Sequence, residues 1–205
     1  MVDFRGLSTR EIERMARVIK PGEWAVESER PISTLLGSCV AVCLYDVVAR
    51  VAGMNHFMLP SMKTSTSRDK NVLLAGEDCM AALLNALLVG GAARFRLQAK
   101  AFGGGSVIEM NRPGGASIGQ VNADFAREWL DREQIPLQAS DFLGPWARKV
   151  LLLPNDGVVY CKRQVTSMIS QESVEREVES YTRSLSDFGV RGGNSGGSAH
   201  HSPAS

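Results

Sequence analysis

Cys39 and His56 are the pair of side chains in this chain best suited to chemistry, since a thiol beside an imidazole makes a nucleophile and its base. His56 is the only histidine outside the Gly/Ser-rich end of the chain, where His200 and His201 are adjacent and are assigned no function. Cys39 closes the run Leu36-Gly37-Ser38-Cys39, a glycine-containing turn whose backbone N–H groups can hold an oxyanion. A thiolate beside an imidazolium is stabilised, and acyl transfer is the chemistry this pair supports. The same two residues also fit a buried core cysteine and a satisfied strand histidine, and their spacing alone leaves both readings open.

Positioning the pair falls to a hairpin. Cys39-Val-Ala-Val-Cys43-Leu-Tyr45 is rich in β-formers, Asp46 to Arg50 turns the chain, and Val51 to Leu59 returns antiparallel. Alternation puts Cys39, Ala41 and Cys43 on one face and separates Asn55 from His56, so one of those two points toward Cys39. With the turn centred near Val48, Cys39 and His56 fall nearly opposite one another and can touch.

Around the hairpin, Ser8 and Glu11 have capping-box spacing, and Ile12, Met15, Ala16 and Ile19 follow at helical intervals until Pro21-Gly22. Trp24 to Glu27 reads as a strand and Pro31 to Ser38 as a loop. Ser61 to Lys70 is Ser/Thr-rich and mobile in character. Val72 to Val89 carries Leu83, Leu84, Leu87 and Leu88 on one helical side before Gly90-Gly91. Arg96 to Phe102 follows as a strand, Gly103-Gly104-Gly105 as a tight turn or a close backbone approach to the site, and Ile118 to Glu133 as a second amphipathic helix. Arg148 to Leu153 and Val158 to Arg163 flank Asn155-Asp156-Gly157 as a hairpin. Helices alternating with hairpins around one mixed sheet give an α/β or α+β domain over residues 1–163, with its core from about 20. Residues 164–205 form an extension, first a charged helical stretch over Glu172 to Leu185 and then a Gly/Ser-rich, disordered end.

Composition removes several classes. Lys plus Arg total 23 against 22 Asp plus Glu, with no basic stripe, so nucleic acid is not an expected partner. Neither a signal peptide nor a membrane-length apolar run is present, which predicts a cytoplasmic protein without membrane insertion. Cys39, Cys43, Cys79 and Cys161 lack Cys-x-x-Cys spacing, so no metal, cofactor or disulfide is expected. The triple glycine lacks a following Gly-Lys-Ser/Thr and fails the dinucleotide spacing.

Five strings stand in order along the chain: Thr34-Leu-Leu-Gly-Ser-Cys39-Val-Ala-Val-Cys43-Leu-Tyr-Asp46, Gly53-Met-Asn-His56-Phe-Met-Leu-Pro60, Ala99-Lys100-Ala-Phe102-Gly-Gly104, Ile118-Gly119 with Asn122, and Arg148-Lys149-Val150. By these the chain resembles the CheD family of chemoreceptor glutamine deamidases. The resemblance implies a layered α/β/β fold similar to toxin-type glutamine deamidase domains. It also implies a protein-glutamine glutaminase, an amidohydrolase acting on linear amides, that converts glutamines of methyl-accepting chemotaxis receptors to glutamate in support of signalling and adaptation. In that family Cys39 matches the nucleophile, His56 the base, and a hydroxyl shortly before the cysteine the third member: Thr34 is preferred and Ser33 is second. Backbone N–H groups near Ser38 and Cys39 would hold the oxyanion, and Asn55 or Asn122 would position the substrate amide. The alternative implied by the family is a module that regulates a CheC-like chemotaxis phosphatase with little catalysis of its own.

Overall fold

Every residue of the strand Val40–Asp46 is buried, and a strand covered on both faces needs a layer on each side. The computed structural model, which describes residue 4 and residues 6–59, 70–106 and 117–164, supplies both layers. In chain order its elements are α1 (Thr9–Met15), β1 (Arg17–Val18), β2 (Trp24–Glu27), β3 (Ile32–Leu36), β4 (Val40–Asp46), β5 (Val51–Asn55), α2 (Lys70–Val89), a 3₁₀ turn (Arg94–Arg96), β6 (Gln98–Gly103), α3 (Ile118–Arg132), β7 (Leu137–Phe142), β8 (Ala147–Leu152) and β9 (Val159–Gln164). They build a five-stranded sheet ordered β2-β5-β4-β6-β7 and a four-stranded sheet ordered β1-β3-β8-β9.

The parity of β4 sorts the core. Val40, Val42 and Leu44 pack with Met80, Leu83 and Leu87 of α2 and with Trp129 and Leu130 of α3. Ala41, Cys43 and Tyr45, with Cys39 just before the strand, pack instead with Ile32 and Leu36 of β3 and Val150 and Leu152 of β8. A third cluster joins Ile12 and Ala16, at the α1 end of the chain, to Leu151 on the outer face of the smaller sheet. The order of layers is thus helices, large sheet, small sheet, then α1, an α/β/β arrangement with one further short helix.

Three expectations change. The single mixed sheet is two sheets: the second face of β4 is covered by β3 and β8 of a separate sheet rather than by helices. The leading helix stops at Met15 rather than continuing toward Ile19: Ala16 is extended, Arg17 and Val18 pair in parallel with Ile32 and Ser33, and Ile19 drops between the sheets. Its start is as expected, with the Ser8 N–H donating to the Glu11 carboxylate at 2.8 Å. Pro31 to Ser38 is not a loop but contains β3, paired with β8 from Ile32↔Leu152 to Leu36↔Arg148. The Ser/Thr-rich stretch through residue 69 and the extension after Gln164 lie outside the described residues.

Candidate active site

β3 belongs to the small sheet and β4 to the large one, so Gly37-Ser38-Cys39 is where the backbone crosses between layers. That crossing brings Cys39 to the inter-sheet side, 1% exposed. Its carbonyl accepts from Gly104 N–H at 2.8 Å, and Gly105 N–H donates to the Gly37 carbonyl at 2.8 Å. Glycine is required for this approach. Gly103 has φ +119°, and a Cβ there would overlap the Cys39 carbonyl oxygen; a Cβ on Gly104 would sit 2.6 Å from the Gly119 carbonyl oxygen of α3. The triple glycine therefore presses against the backbone of Cys39, as its sequence suggested. Gly103→Ala is expected to lower unfolding stability by about 2 kcal/mol or more in a denaturant titration, since a left-handed backbone and a backbone clash add.

His56 sits where β5 peels away from β4. Its N–H donates to the Glu23 carbonyl at 2.9 Å and its carbonyl accepts from Gly22 N–H at 2.7 Å, while Val40 and Phe57 exchange both backbone bonds. The register runs from Asp46↔Val51 through Cys43↔Met54 to the bridge Val40↔Phe57. Cys39 is thus level with Met58 and His56 with Ala41. The two side chains share the inter-sheet face, as expected of a nearly opposed pair, but as diagonal neighbours two residues out of step, roughly 7 Å apart at Cβ by ordinary sheet geometry.

Thr34 of β3 closes the arrangement from the other sheet. Its Oγ1 donates to the Ile19 carbonyl at 2.8 Å and lies 2.8 Å from His56 Nδ1. The hydroxyl has one proton, already given to Ile19, so Oγ1 accepts from Nδ1–H. His56 is consequently the Nδ1–H tautomer with its lone pair at Nε2. That atom is buried and makes no hydrogen bond among the described residues. An unsatisfied buried acceptor costs about 1–3 kcal/mol, and here it is a base with its proton-accepting position open. Ser33, the second choice for this contact, points the other way: it pairs with Val18 and Leu151, toward the α1 layer, and does not reach the imidazole.

Comparison with known proteins adds the family. Residues 58–163 match the family model described as CheD chemotactic sensory transduction. A probable chemoreceptor glutamine deamidase CheD 2 of Dechloromonas aromatica is 58% identical over 184 residues, covering 90% of this chain and 93% of its own length. A protein of the same printed name from Burkholderia thailandensis is 44% identical, covering 76% and 80%. One from Cupriavidus pinatubonensis, named probable chemoreceptor glutamine deamidase CheD, is 40% identical, covering 90% and 86%. The chain belongs to the CheD family.

Within this CheD chain the two asparagines singled out from the sequence are committed to the fold. Asn55 Oδ1 accepts from Val42 N–H at 2.9 Å, and its Nδ2 donates to Met80 Sδ at 3.0 Å. It lies on the helix face, opposite to His56, so it does not meet an amide on the Cys39 side; its side chain stands in for a ladder bond to Val42. Asn122 of α3 accepts from Leu59 N–H at 2.7 Å and donates to the Ser38 carbonyl at 2.9 Å. Its carboxamide is fully buried, with one hydrogen bond at each end committed to the fold. Ser38 itself is half-buried. The residues that sequence reasoning missed act through backbone: the Ile19 carbonyl that fixes Thr34, and Gly22 and Glu23 that hold His56. Backbone groups leave no side-chain signature, although finding β3 would have shown that Thr34 faces inward.

Burial pushes His56 down from its usual value to about 3, because the imidazolium would be formed without water. At neutral pH the resting base is uncharged. The unfolded chain binds a proton at His56 below about 6.5 while the folded CheD domain does not until about 3, so folding loses stability as pH falls through that window. Each pH unit within it is expected to remove about 1.4 kcal/mol more from the parent than from His56→Gln, read by urea titrations at a series of pH values. Among the described residues no group of three or more His, Cys, Asp or Glu side chains could hold a metal ion, and no described helix is long and apolar enough to cross a membrane.

Proposed function

We propose that this CheD protein hydrolyses glutamine side chains of methyl-accepting chemotaxis receptors to glutamate, with residues 1–163 as the deamidase unit and 164–205 as an extension. The observation that carries the reading is the Thr34–His56 hydrogen bond, which leaves Nε2 as a proton acceptor on the face shared with Cys39. The relatives are named as probable chemoreceptor glutamine deamidases, which supports a receptor glutamine as substrate.

Cys39 Sγ attacks the carboxamide carbon as its proton moves to His56 Nε2, forming the S–C bond and a tetrahedral oxyanion. A neutral resting imidazole favours this concerted transfer over a standing thiolate–imidazolium pair. Collapse breaks the C–N bond, and Nε2 returns the proton to the departing ammonia. The thioester is then attacked by water, which gives a proton to Nε2; the C–S bond breaks, the thiolate is reprotonated, and glutamate leaves. Backbone N–H groups of the Ser38–Cys39 segment stabilise both oxyanions. The new carboxylate is an anion and a methylatable group where a neutral amide stood, which is how such a change supports chemotactic adaptation.

The test is ammonia release with a one-dalton mass gain on receptor cytoplasmic fragments. Stoichiometric release that maps to glutamines is the expected result. A folded protein that releases none from several such fragments sinks the deamidase reading and favours a binding module for a CheC-like phosphatase.

A further inference from the structure

Asn122 is the one described side chain that bonds both the segment entering Cys39 and the segment leaving His56. From this geometry we infer that Asn122 is a positioning residue that aims the Ser38–Cys39 peptide, and so the oxyanion-binding N–H, toward the nucleophile's side of the sheet. The inference rests on the proposal that Cys39 attacks a carbonyl.

A trans peptide is planar, with its C=O and N–H pointing in opposite directions. Asn122 Nδ2 holds the Ser38 carbonyl at 2.9 Å from α3, and α3 packs on the helix face of β4. The Cys39 N–H of the same peptide must then point away from α3. Away from α3 is the inter-sheet side, where the Cys39 side chain lies and where His56 meets Thr34. The next peptide is pinned independently, since the Cys39 carbonyl accepts from Gly104 N–H at 2.8 Å. With both flanking peptides fixed, the N–H needs no reorganisation when negative charge develops on a carbonyl oxygen, which is the condition under which such a donor is most effective. The acceptor half of Asn122 does a separate task, tying Leu59, three residues after His56, to the same helix.

Two small reagents separate aiming from mere support. p-Nitrophenyl acetate acylates Cys39 through an oxyanion: Sγ bonds to the acyl carbon, the thiol proton goes to His56 Nε2, and p-nitrophenolate leaves. Iodoacetamide alkylates the same Sγ by displacement of iodide at a saturated carbon, and no oxyanion forms. Asn122→Asp keeps an acceptor for Leu59 N–H but loses the donor to Ser38, whereas Asn122→Ala loses both. Both variants are expected to slow the burst of p-nitrophenolate by about 100-fold, while alkylation of Cys39 stays within about threefold of the parent. Gln120→Ala, on the same helix, should change neither rate.

An acylation burst within about fivefold of the parent in Asn122→Asp overturns the inference. So does a parallel fall in acylation and alkylation, which is the mark of a purely structural clamp. If the parent acylates at Cys39 yet releases no ammonia from receptor fragments, the deamidase reading fails while the ratio of the two rates still decides the role of Asn122. A parent that is not acylated at Cys39 refutes the inference outright.

Discussion

Replacing His56 by alanine lowers ammonia release from a receptor fragment by about 10⁴-fold or more, down to the level left by Cys39→Ala, and the double variant is no worse than either single one. Groups that act as one unit in acyl transfer are strongly non-additive, because once either is missing the shared step no longer proceeds through it. The structure gives that coupling a direction. Thr34 fixes the tautomer, the tautomer leaves Nε2 able to take a proton, and Nε2 lies on the face that Cys39 shares. Thr34→Val is therefore expected to cost less, about 10- to 100-fold, since the imidazole remains but spends part of its time with the proton on the wrong nitrogen. Single-turnover release followed by mass gain measures all four proteins, and thermal unfolding checks that each is folded. A folded His56→Ala protein within tenfold of the parent would remove the imidazole from the mechanism.

How much of this was legible in the sequence depended on whether the signal was local. Alternation correctly set Cys39, Ala41 and Cys43 on one face and divided Asn55 from His56, because the period of two is a property of each strand by itself. The two-residue offset between Cys39 and His56 was not legible. The turn is centred between Val48 and Ala49, whose N–H groups both donate to the buried Asp46 carboxylate, and Arg50 adopts φ +55°; a side-chain cap of this kind sets register without appearing in any hydropathy pattern. Burial alone would push the Asp46 pKa up, but the Arg96 guanidinium and the N–H groups of Ala93, Ala49 and Val48 overcome it and hold the carboxyl well below its usual range. In the sequence β3 reads as a loop because Pro31, Ser33 and Gly37 are turn-favouring residues. Its strand character comes from pairing with β8, near the end of the described chain, and only that pairing explains why Thr34 and not Ser33 faces the imidazole. Asn55 and Asn122 were read as substrate contacts because free carboxamides recognise amides; their partners, Met80, Ser38 and Leu59, are supplied by packing of helices that a one-dimensional pattern does not place.

The site takes Thr34 from the small sheet and His56 from the end of the large one, so it exists only while the two layers stay in register, and a buried ion network at the same end holds them. Arg148 of β8 is fully buried; its Nη2 donates to Asp141 Oδ1 at 3.0 Å and to the Leu143 carbonyl, and its Nη1 to the Trp146 carbonyl at 3.3 Å. Asp141, on β7 of the large sheet, also receives Arg163 of β9 in a two-pronged pair at 2.9 and 2.8 Å. The Arg163 bonds, and Arg148 after them, keep the Asp141 carboxyl well below the usual carboxylate range. Arg148 is level with Leu36, immediately before the crossing that delivers Cys39. Removing its guanidinium takes a donor from the Leu143 and Trp146 carbonyls and leaves Asp141 to Arg163 alone. Arg148→Ala is expected to lower unfolding stability by about 2–4 kcal/mol, from the lost hydrogen bonds and the space left by a fully buried side chain, whereas Arg163→Ala, whose side chain is more than half exposed, costs about 1 kcal/mol or less. Pairing Arg148→Met with Asp141→Leu should recover much of the loss, because apolar replacement of both partners leaves no lone charge behind. If Arg148→Ala and Arg163→Ala shift the denaturant midpoint equally, the network is a surface feature and the layers are held by hydrophobic contact alone. If they separate as expected, deamidation in Arg148→Ala should fall further than the unfolded fraction explains, since Thr34 and His56 reach each other from different sheets.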